Sequence, residues 1–329
     1  MERIMLSNSA FEGNNNAYLF DDGPETVLLD TGDWMEATRT QLTDALDSHG
    51  VSVADIDRIL LTHWHHDHTG LAGEIQAASG ADVFVHAEDA PLVGGDDDAW
   101  AAFHDAQERY FEEWGIPEPK RAELRDRMVD PTTLDAPEVT PMSDGDTFTV
   151  NGRDLRVVHT SGHAAGLCMF ETTLDGSDVV FTGDALLPEY TPNVGGADVR
   201  VRKPLEKYLR ALRRIADAGY SRAWPGHRDP IDDPTARAEH IARHHEERAW
   251  RVLTALDESG PLDPWAVSAE LFGELSGIHI LHGPGEAYAH LEHLARTGAV
   301  VAERRTYRIA ERASDALDRR TDQRWELDV

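Results

Sequence analysis

The sequence predicts an α/β fold: a large domain of alternating strands and helices, followed by a small helical domain closed by a β-hairpin. Three observations predict it. Short apolar runs alternate with stretches of helical period from about residue 17 to 230. Histidine- and aspartate-rich segments follow directly on several of those runs, where a sheet would present them at one edge. Beyond 236 the apolar period is helical until a strand pair near 299–308. At 329 residues the chain exceeds one average domain, and the expected division is 1–235, 236–312 and a charged tail over 313–329.

Taken in order, a strand over 17–20 turns at Asp21-Asp22-Gly23-Pro24, and Val27-Leu28-Leu29 runs into Asp30-Thr31-Gly32. A helix is expected over 34–49, because Leu42, Ala45 and Leu46 recur at helical spacing and Gly50 is placed to end it. A buried strand over 56–61 then delivers the chain to Thr62-His63-Trp64-His65-His66-Asp67-His68-Thr69-Gly70. A helix over 71–80 and a strand over 82–86 complete a β-loop-α-β unit.

Between about 96 and 135 the strands stop. Trp100, Phe103, Ala106, Tyr110, Phe111 and Trp114 fall at helical spacing, and a second helix is expected over 119–128. This helical insertion is either a lid over the site or a packing extension. Strands resume over 147–150 and 154–158, the second leading into His159-Thr160-Ser161-Gly162-His163. Strands over 167–171 and 179–182 follow, the latter reaching Gly183-Asp184. A helix over 204–219 carries Leu205, Leu209, Leu212 and Ile215 on one face, and a short strand over 222–224 ends at Pro225-Gly226-His227. Helices over 237–258, 264–272 and 285–297 and a hairpin over 299–308 then suggest a winged-helix module, and 313–329 reads as weakly ordered.

Composition narrows the chemistry. The single cysteine, Cys168, cannot form an internal disulfide and excludes a thiolate-rich metal cage; inside an apolar run it reads as a buried structural thiol. No stretch approaches the roughly 18 apolar residues of a membrane span and no signal peptide is visible, so a cytoplasmic location is expected. The formal charge is -30, with acidic residues throughout and lysine only at Lys120, Lys203 and Lys207. Such a surface suggests a halophilic-type protein kept soluble in concentrated salt by hydrated carboxylates; full folding and activity in dilute buffer, with no gain from molar salt, would count against it.

Neutral imidazoles and carboxylates bind borderline divalent metals, and a catalytic site keeps positions open for water. His63, His65, Asp67, His68, His163, Asp184 and His227 supply enough donors for two such ions. Residues two apart project to one side of an extended segment, so His63 and His65 could grip one ion while Asp67 and His68, after a bend, reach a second. Asp30 is expected to hydrogen-bond the metal loop from behind. His66, His159 and His86 read as structural. Trp64, Tyr190 and Asn193 are candidate substrate-pocket residues, with loop packing the plainer alternative for each. His240, His244, His245, His279, His282, His290 and His293 lie without a carboxylate or cysteine set at ligand spacing, and are expected to be solvated.

His63-x-His65-x-Asp67-His68, the Thr-Ser-Gly-His163 loop, Thr-Gly-Asp184 after an apolar strand, Pro-Gly-His227 and the upstream Leu29-Asp30-Thr31-Gly32 together resemble the successive motifs of the metallo-β-lactamase superfamily. The insertion and the C-terminal part resemble LACTB-like and glyoxalase II-like hydrolases with an appended winged-helix domain. The resemblance implies a four-layer αββα sandwich. It implies that His63, His65 and His163 hold one metal, that Asp67, His68 and His227 hold the other, and that Asp184 bridges them. Zinc is the default, with manganese or iron able to use the same donors. It further implies a hydroxide nucleophile shared by the two ions, with Asp67 as the catalytic residue that orients it or takes its proton.

Fold does not settle substrate. Redox relatives carry a carboxylate at the position of His65, so His65 points to hydrolysis. A small-molecule ester or thioester is the expected substrate, with a LACTB-like endoribonuclease as the alternative, disfavoured by the charge. A winged-helix regulator that binds nucleic acid through Arg304, Arg305 and Arg308 is a third reading. It is weakened by Glu286, Glu292 and a single Arg on the third helix, and the module is taken instead as a dimerisation or lid-supporting domain of a possible homodimer.

Overall fold

The computed structural model describes residues 1–8, 13–126, 135–317, 319 and 321–328. Two sheets form the centre of the large domain. The first places β1 (Glu2–Leu6), β2 (Asn15–Phe20), β3 (Val27–Leu29), β4 (Arg58–Leu60), β5 (Asp82–His86) and β6 (Val139–Met142) side by side in chain order. The first two pairings are antiparallel and the last three parallel. The second sheet comprises β7 (Thr147–Val150), β8 (Arg153–His159), β9 (Cys168–Leu174), β10 (Ser177–Gly183) and β11 (Arg222–Pro225), antiparallel except for β10 with β11.

Side-chain alternation explains the layering. Along β2, Tyr18 and Phe20 point into a cluster shared with Val157, Phe170 and Phe181 of the second sheet. Ala17 and Leu19 point the other way, into a core with Leu42, Leu46, Ala72 and Ile75. Those residues lie on α1 (Glu36–Ser48) and on α3 (Ala72–Ser79), which follows the one-turn α2 (His66–Thr69). Behind the second sheet, Val158, Met169 and Val180 join Leu205, Leu209, Leu212 and Ile215. The latter four line one face of a helix over Pro204–Ala218. Each such side chain contributes about 1.5–3 kcal/mol on burial. The result is helix, sheet, sheet, helix.

Two strands escape the sequence reading. Both β1 and β6 are edge strands. β1 opens with Glu2 and Arg3, and β6 contains Pro141, which an edge tolerates but which breaks a strand pattern.

The insertion consists of α4 (Ala90–Val93), α5 (Asp97–Glu113) and α6 (Glu118–Arg125); Met128, where the second insertion helix was expected to end, lies outside the described residues. Phe103, Phe111 and Trp114 are buried, so the aromatic face of this segment is taken up by packing. Trp64 meets Trp100 and Phe103 at ring distances of 5.6 and 5.0 Å.

The helix over Pro204–Ala218 is α7. After it come α8 (Pro234–Ser259), α9 (Pro264–Phe272), α10 (His279–Arg296), the antiparallel pair β12 (Val300–Glu303) and β13 (Thr306–Ile309), and α11 (Glu311–Leu317). Asp233 and Asp263 cap α8 and α9 through Ala236 N and Ala266 N, each just before a proline at the first helical position. The expected boundary at 235 falls at the head of α8, but the helix serves both cores: Ala238 and Ile241 belong to the large one, Ala249, Val252, Leu253 and Leu256 to the smaller. Helix α10 begins six residues before the predicted 285 and runs through Gly283-Pro284-Gly285. Among the described residues of 313–329, expected to be weakly ordered, Ala313 and Leu317 are buried and Trp325 N bonds Glu246 O at 3.1 Å. Nor are the C-terminal histidines all solvated: His245, His290 and His293 are fully buried.

Candidate metal centre

Four strands end at one edge of the sandwich, and each delivers candidate ligands. β4 leads to His63, β8 to His163, β10 to Asp184 and β11 to His227. In the 63–68 loop the bend expected before Asp67 and His68 takes the form of a helical turn. His65 is extended, with φ -60 and ψ 139, and α2 begins at His66, so Asp67 and His68 leave a helical turn. The parallel pairing of β10 with β11 sets Gly183 opposite Pro225 and brings Asp184 beside His227. A Cβ at Gly226 would lie 2.6 Å from His68 Cε1 and 2.7 Å from Asp184 Oδ1, so only glycine leaves room there.

All seven expected ligands converge. His65 Nδ1 lies 2.9 Å from His63 Nε2 and 3.0 Å from His163 Nε2. His227 Nε2 lies 3.5 Å from Asp67 Oδ2, and His68 Nε2 lies 3.9 Å from the same oxygen. Asp184 stands between these groups. Its Oδ2 is 3.5 Å from His163 Nε2, while its Oδ1 is 3.5 Å from His68 Nε2 and 3.4 Å from His227 Nε2.

Hydrogen bonds behind the ligands fix which nitrogen faces inward. Asp30 Oδ2 accepts from His68 Nδ1 at 2.8 Å. The Thr62 hydroxyl gives its only proton to that same carboxylate oxygen at 2.8 Å, so at 3.0 Å it must accept from His63 Nδ1. His163 Nδ1 donates to the carbonyl of Asn193 at 2.8 Å. His63, His68 and His163 therefore each present Nε2. Asp67 is held by Asn15, whose amide donates to its backbone oxygen at 2.8 Å and to Oδ2 at 3.3 Å.

The residues fit divalent cations. His68 Nε2, His227 Nε2 and Asp184 Oδ1 are buried, face one another and make no hydrogen bond among the described residues, a cost that a cation between them removes. Burial, with His68 and His65, pushes His63 well down, and burial with His163 does the same to His65, so both offer lone pairs. Burial opposes charge on Asp184 and Asp67, but His227 and His68 outweigh it and hold both below the usual carboxylate range. Conversely, burial works against a proton on His68, yet Asp67, Asp184 and Asp30 raise it well above an ordinary histidine. An incoming cation would displace that proton.

Other residues appear that the sequence reading did not single out. Asp89 accepts from Trp64 N at 3.1 Å and from Gly166 N at 3.0 Å, and Asp198 accepts from Trp64 Nε1 at 3.0 Å and from Ala165 N at 2.8 Å. Arg200 binds both carboxylates, at 2.7 and 2.6 Å. This triad ties the 63–68 loop to the His163 loop. His282 of α10 comes close to the same site, and burial, then His163 and His279, push it down to about 3.

The candidate pocket residues are placed as follows. Trp64 is buried in the triad's grip. Tyr190 is half exposed, with the Arg228 guanidinium 4.6 Å from its ring centre. Asn193 turns its side chain toward α10. His86 and His159 stack on each other at 3.9 Å, and His66 stacks on Trp100 at 5.8 Å.

Residues 10–227 match the family described as the metallo-beta-lactamase superfamily. The chain is 30% identical over 246 residues to a beta-lactamase-like protein 2 homolog of Drosophila melanogaster, covering 72% of this chain and 66% of that protein. It is 27% identical to a thioesterase of Emericella nidulans, covering 72% of this chain and 54% of that one. The curated relatives are thus matched over little more than half to two thirds of their length. A solved metallo-beta-lactamase family protein from Thermus thermophilus superposes with a TM-score of 0.80 at 33% identity, covering 94% of this chain and 98% of that one.

Proposed function

The chain belongs to the metallo-β-lactamase superfamily, and on that premise we propose that it is a hydrolase that cleaves a small thioester or ester with the help of two divalent ions, zinc by default. The observation that carries the reading is the pair of ligand groups, His63/His65/His163 and Asp67/His68/His227, joined by the two oxygens of Asp184. Two ions held there would bring a shared water to ionise near neutral pH and would polarise the scissile carbonyl.

The remaining chemistry falls to the chain's own groups. Asp67 stays a carboxylate because His68 and His227 face it, and the Asn15 amide fixes its rotamer. It is placed to accept the attacking water's proton as oxygen bonds to the acyl carbon, and that proton leaves with the thiol once the C–S bond breaks. His65 and His163 anchor the opposite side. A small cleft of about 30 Å³ beside the loop, lined by Trp64, His66, Thr69, Trp100 and Pro137, has room for water and not for a substrate group.

A thioester is favoured by the thioesterase among the relatives. The charge of -30 works against a polyanionic RNA substrate. Helix α10, which a winged-helix regulator would insert into a groove, is buried at Leu281, Ala287, Ala289, His290, Leu291 and Leu294.

Elemental analysis of the purified protein, paired with hydrolysis of a short acyl thioester and of single-stranded RNA, tests the proposal. About two ions per chain, with thioester cleavage lost in Asp67→Ala and RNA left intact, is the expected result. RNA cleavage with the thioester untouched would overturn it.

A further inference from the structure

One buried cluster lies outside the metal centre. His245, Glu286 and His290 bring ligand-type atoms together between α8 and α10. It does not read as another cation site, because the Arg248 guanidinium sits 2.6 Å from Glu286 Oε1 and already neutralises that carboxylate. The histidines form a neutral chain instead. His290 Nδ1 donates to Glu286 O at 2.8 Å, which leaves its Nε2 to accept from His245 Nδ1 at 3.2 Å.

The other oxygen of Glu286 faces the metal centre. Oε2 accepts from Val194 N at 3.1 Å and from the Asn193 side-chain amide at 3.3 Å. That amide also donates to His282 O at 3.1 Å, and Asn193 Oδ1 accepts from Gly196 N and Ala197 N at 3.0 and 2.8 Å. The loop therefore rests on α10 through the Asn193 side-chain amide and is braced internally through its oxygen. Glycines make the approach possible, since a Cβ on Gly285 would overlap the backbone of Gly196. The carbonyl of this same Asn193 takes the Nδ1 proton of His163.

We propose that Glu286 is the positioning residue of His163: clamped by Arg248, it fixes the 193–197 loop, whose Asn193 carbonyl aims the His163 ring at His63 and His65. The inference rests on the metal reading above. It makes the C-terminal part a structural component of one metal subsite, although no ligand comes from it. Withdrawing the carboxylate frees Asn193 to shift, and His163 loses the bond that sets its tautomer and direction.

The test is titration of the metal-free protein with zinc against a competing chelator, with melting followed in parallel. Wild type should take up two ions. In Glu286→Ala one of the two steps should weaken by about 10–100-fold, the usual cost of losing a group that orients a ligand, while the other keeps its affinity. Glu286→Gln retains an acceptor for Val194 and Asn193 and should recover most of that loss. Should Glu286→Ala fail to fold, Gly285→Ala disturbs the same contact from another side and should weaken the same step. Two steps at wild-type affinity in a folded variant, or both weakened equally along with melting, would overturn the inference while leaving the metal reading intact. No uptake by wild type would overturn the metal reading itself, and this inference with it.

Discussion

Asp184→Asn is expected to lower thioester hydrolysis by roughly 10³-fold or more, about 4 kcal/mol of barrier, while leaving the fold in place. The substitution keeps shape and removes charge. Oδ1 and Oδ2 each face a different ligand group, within 3.4 to 3.5 Å of three imidazoles, so a neutral amide cannot satisfy two cations at once. The histidines left behind need not carry stranded charge, because burial pulls His68 and His227 down while Asp184 is one of the carboxylates that raise them, so both shift back toward neutral imidazole when it goes. Cation binding stabilises the folded state by about 2.7 kcal/mol at a hundredfold excess over Kd. Melting of wild type should therefore fall when a chelator is added, and melting of the variant should respond far less. A variant that keeps both ions and a near-native rate would remove Asp184 from the bridging position.

How far sequence alone reaches is set by how local the signal is. The convergence of the candidate ligands was legible because each follows an apolar strand and sits in a compact motif, so strand and side chain were read together. The tautomer device was half legible: Asp30 stood in a motif, but the role of Thr62 depends on its single proton going to Asp30. The triad of Asp89, Asp198 and Arg200 was not legible, since two buried carboxylates look like any others in a chain with 61 acidic residues. The burial of His245, Glu286 and His290 was missed because they join two helices 41 residues apart at His245 and Glu286, a distance over which helical period carries no information. Helix α10 was cut short for a related reason. Gly283-Pro284-Gly285 breaks an isolated helix, whereas here Pro284 and both glycines are packed in the interior, and Gly285 is needed for contact with Gly196.

The largest effect on stability is expected at Arg200. Asp89 and Asp198 have fully buried carboxylates, and Arg200, whose own side chain is 22% exposed, is the cation bonded to both. Arg200→Met leaves two facing buried carboxylates without a counter-charge, a change that typically costs about 3–5 kcal/mol. The loss should depend on pH in a defined direction. Burial, offset by Arg200 and reinforced by Asp198, already pushes Asp89 up to about 6 in the native protein. Without Arg200 it rises further. An acid whose folded pKa is raised above its unfolded value takes up a proton more readily when folded, so folding gains stability as pH falls through that raised pKa. The stabilities of wild type and variant therefore change differently with pH only between about 6 and the variant's higher pKa. The deficit in melting temperature should be widest at alkaline pH and narrow as pH falls toward about 6, where a protonated Asp89 can share its proton with Asp198. Because Trp64 N, Ala165 N and Gly166 N hang on the same two carboxylates, zinc affinity of the folded variant should drop too. Melting curves at both ends of the range decide the matter: a deficit that is absent, or constant with pH, would mean that the triad does not hold the two ligand loops by charge.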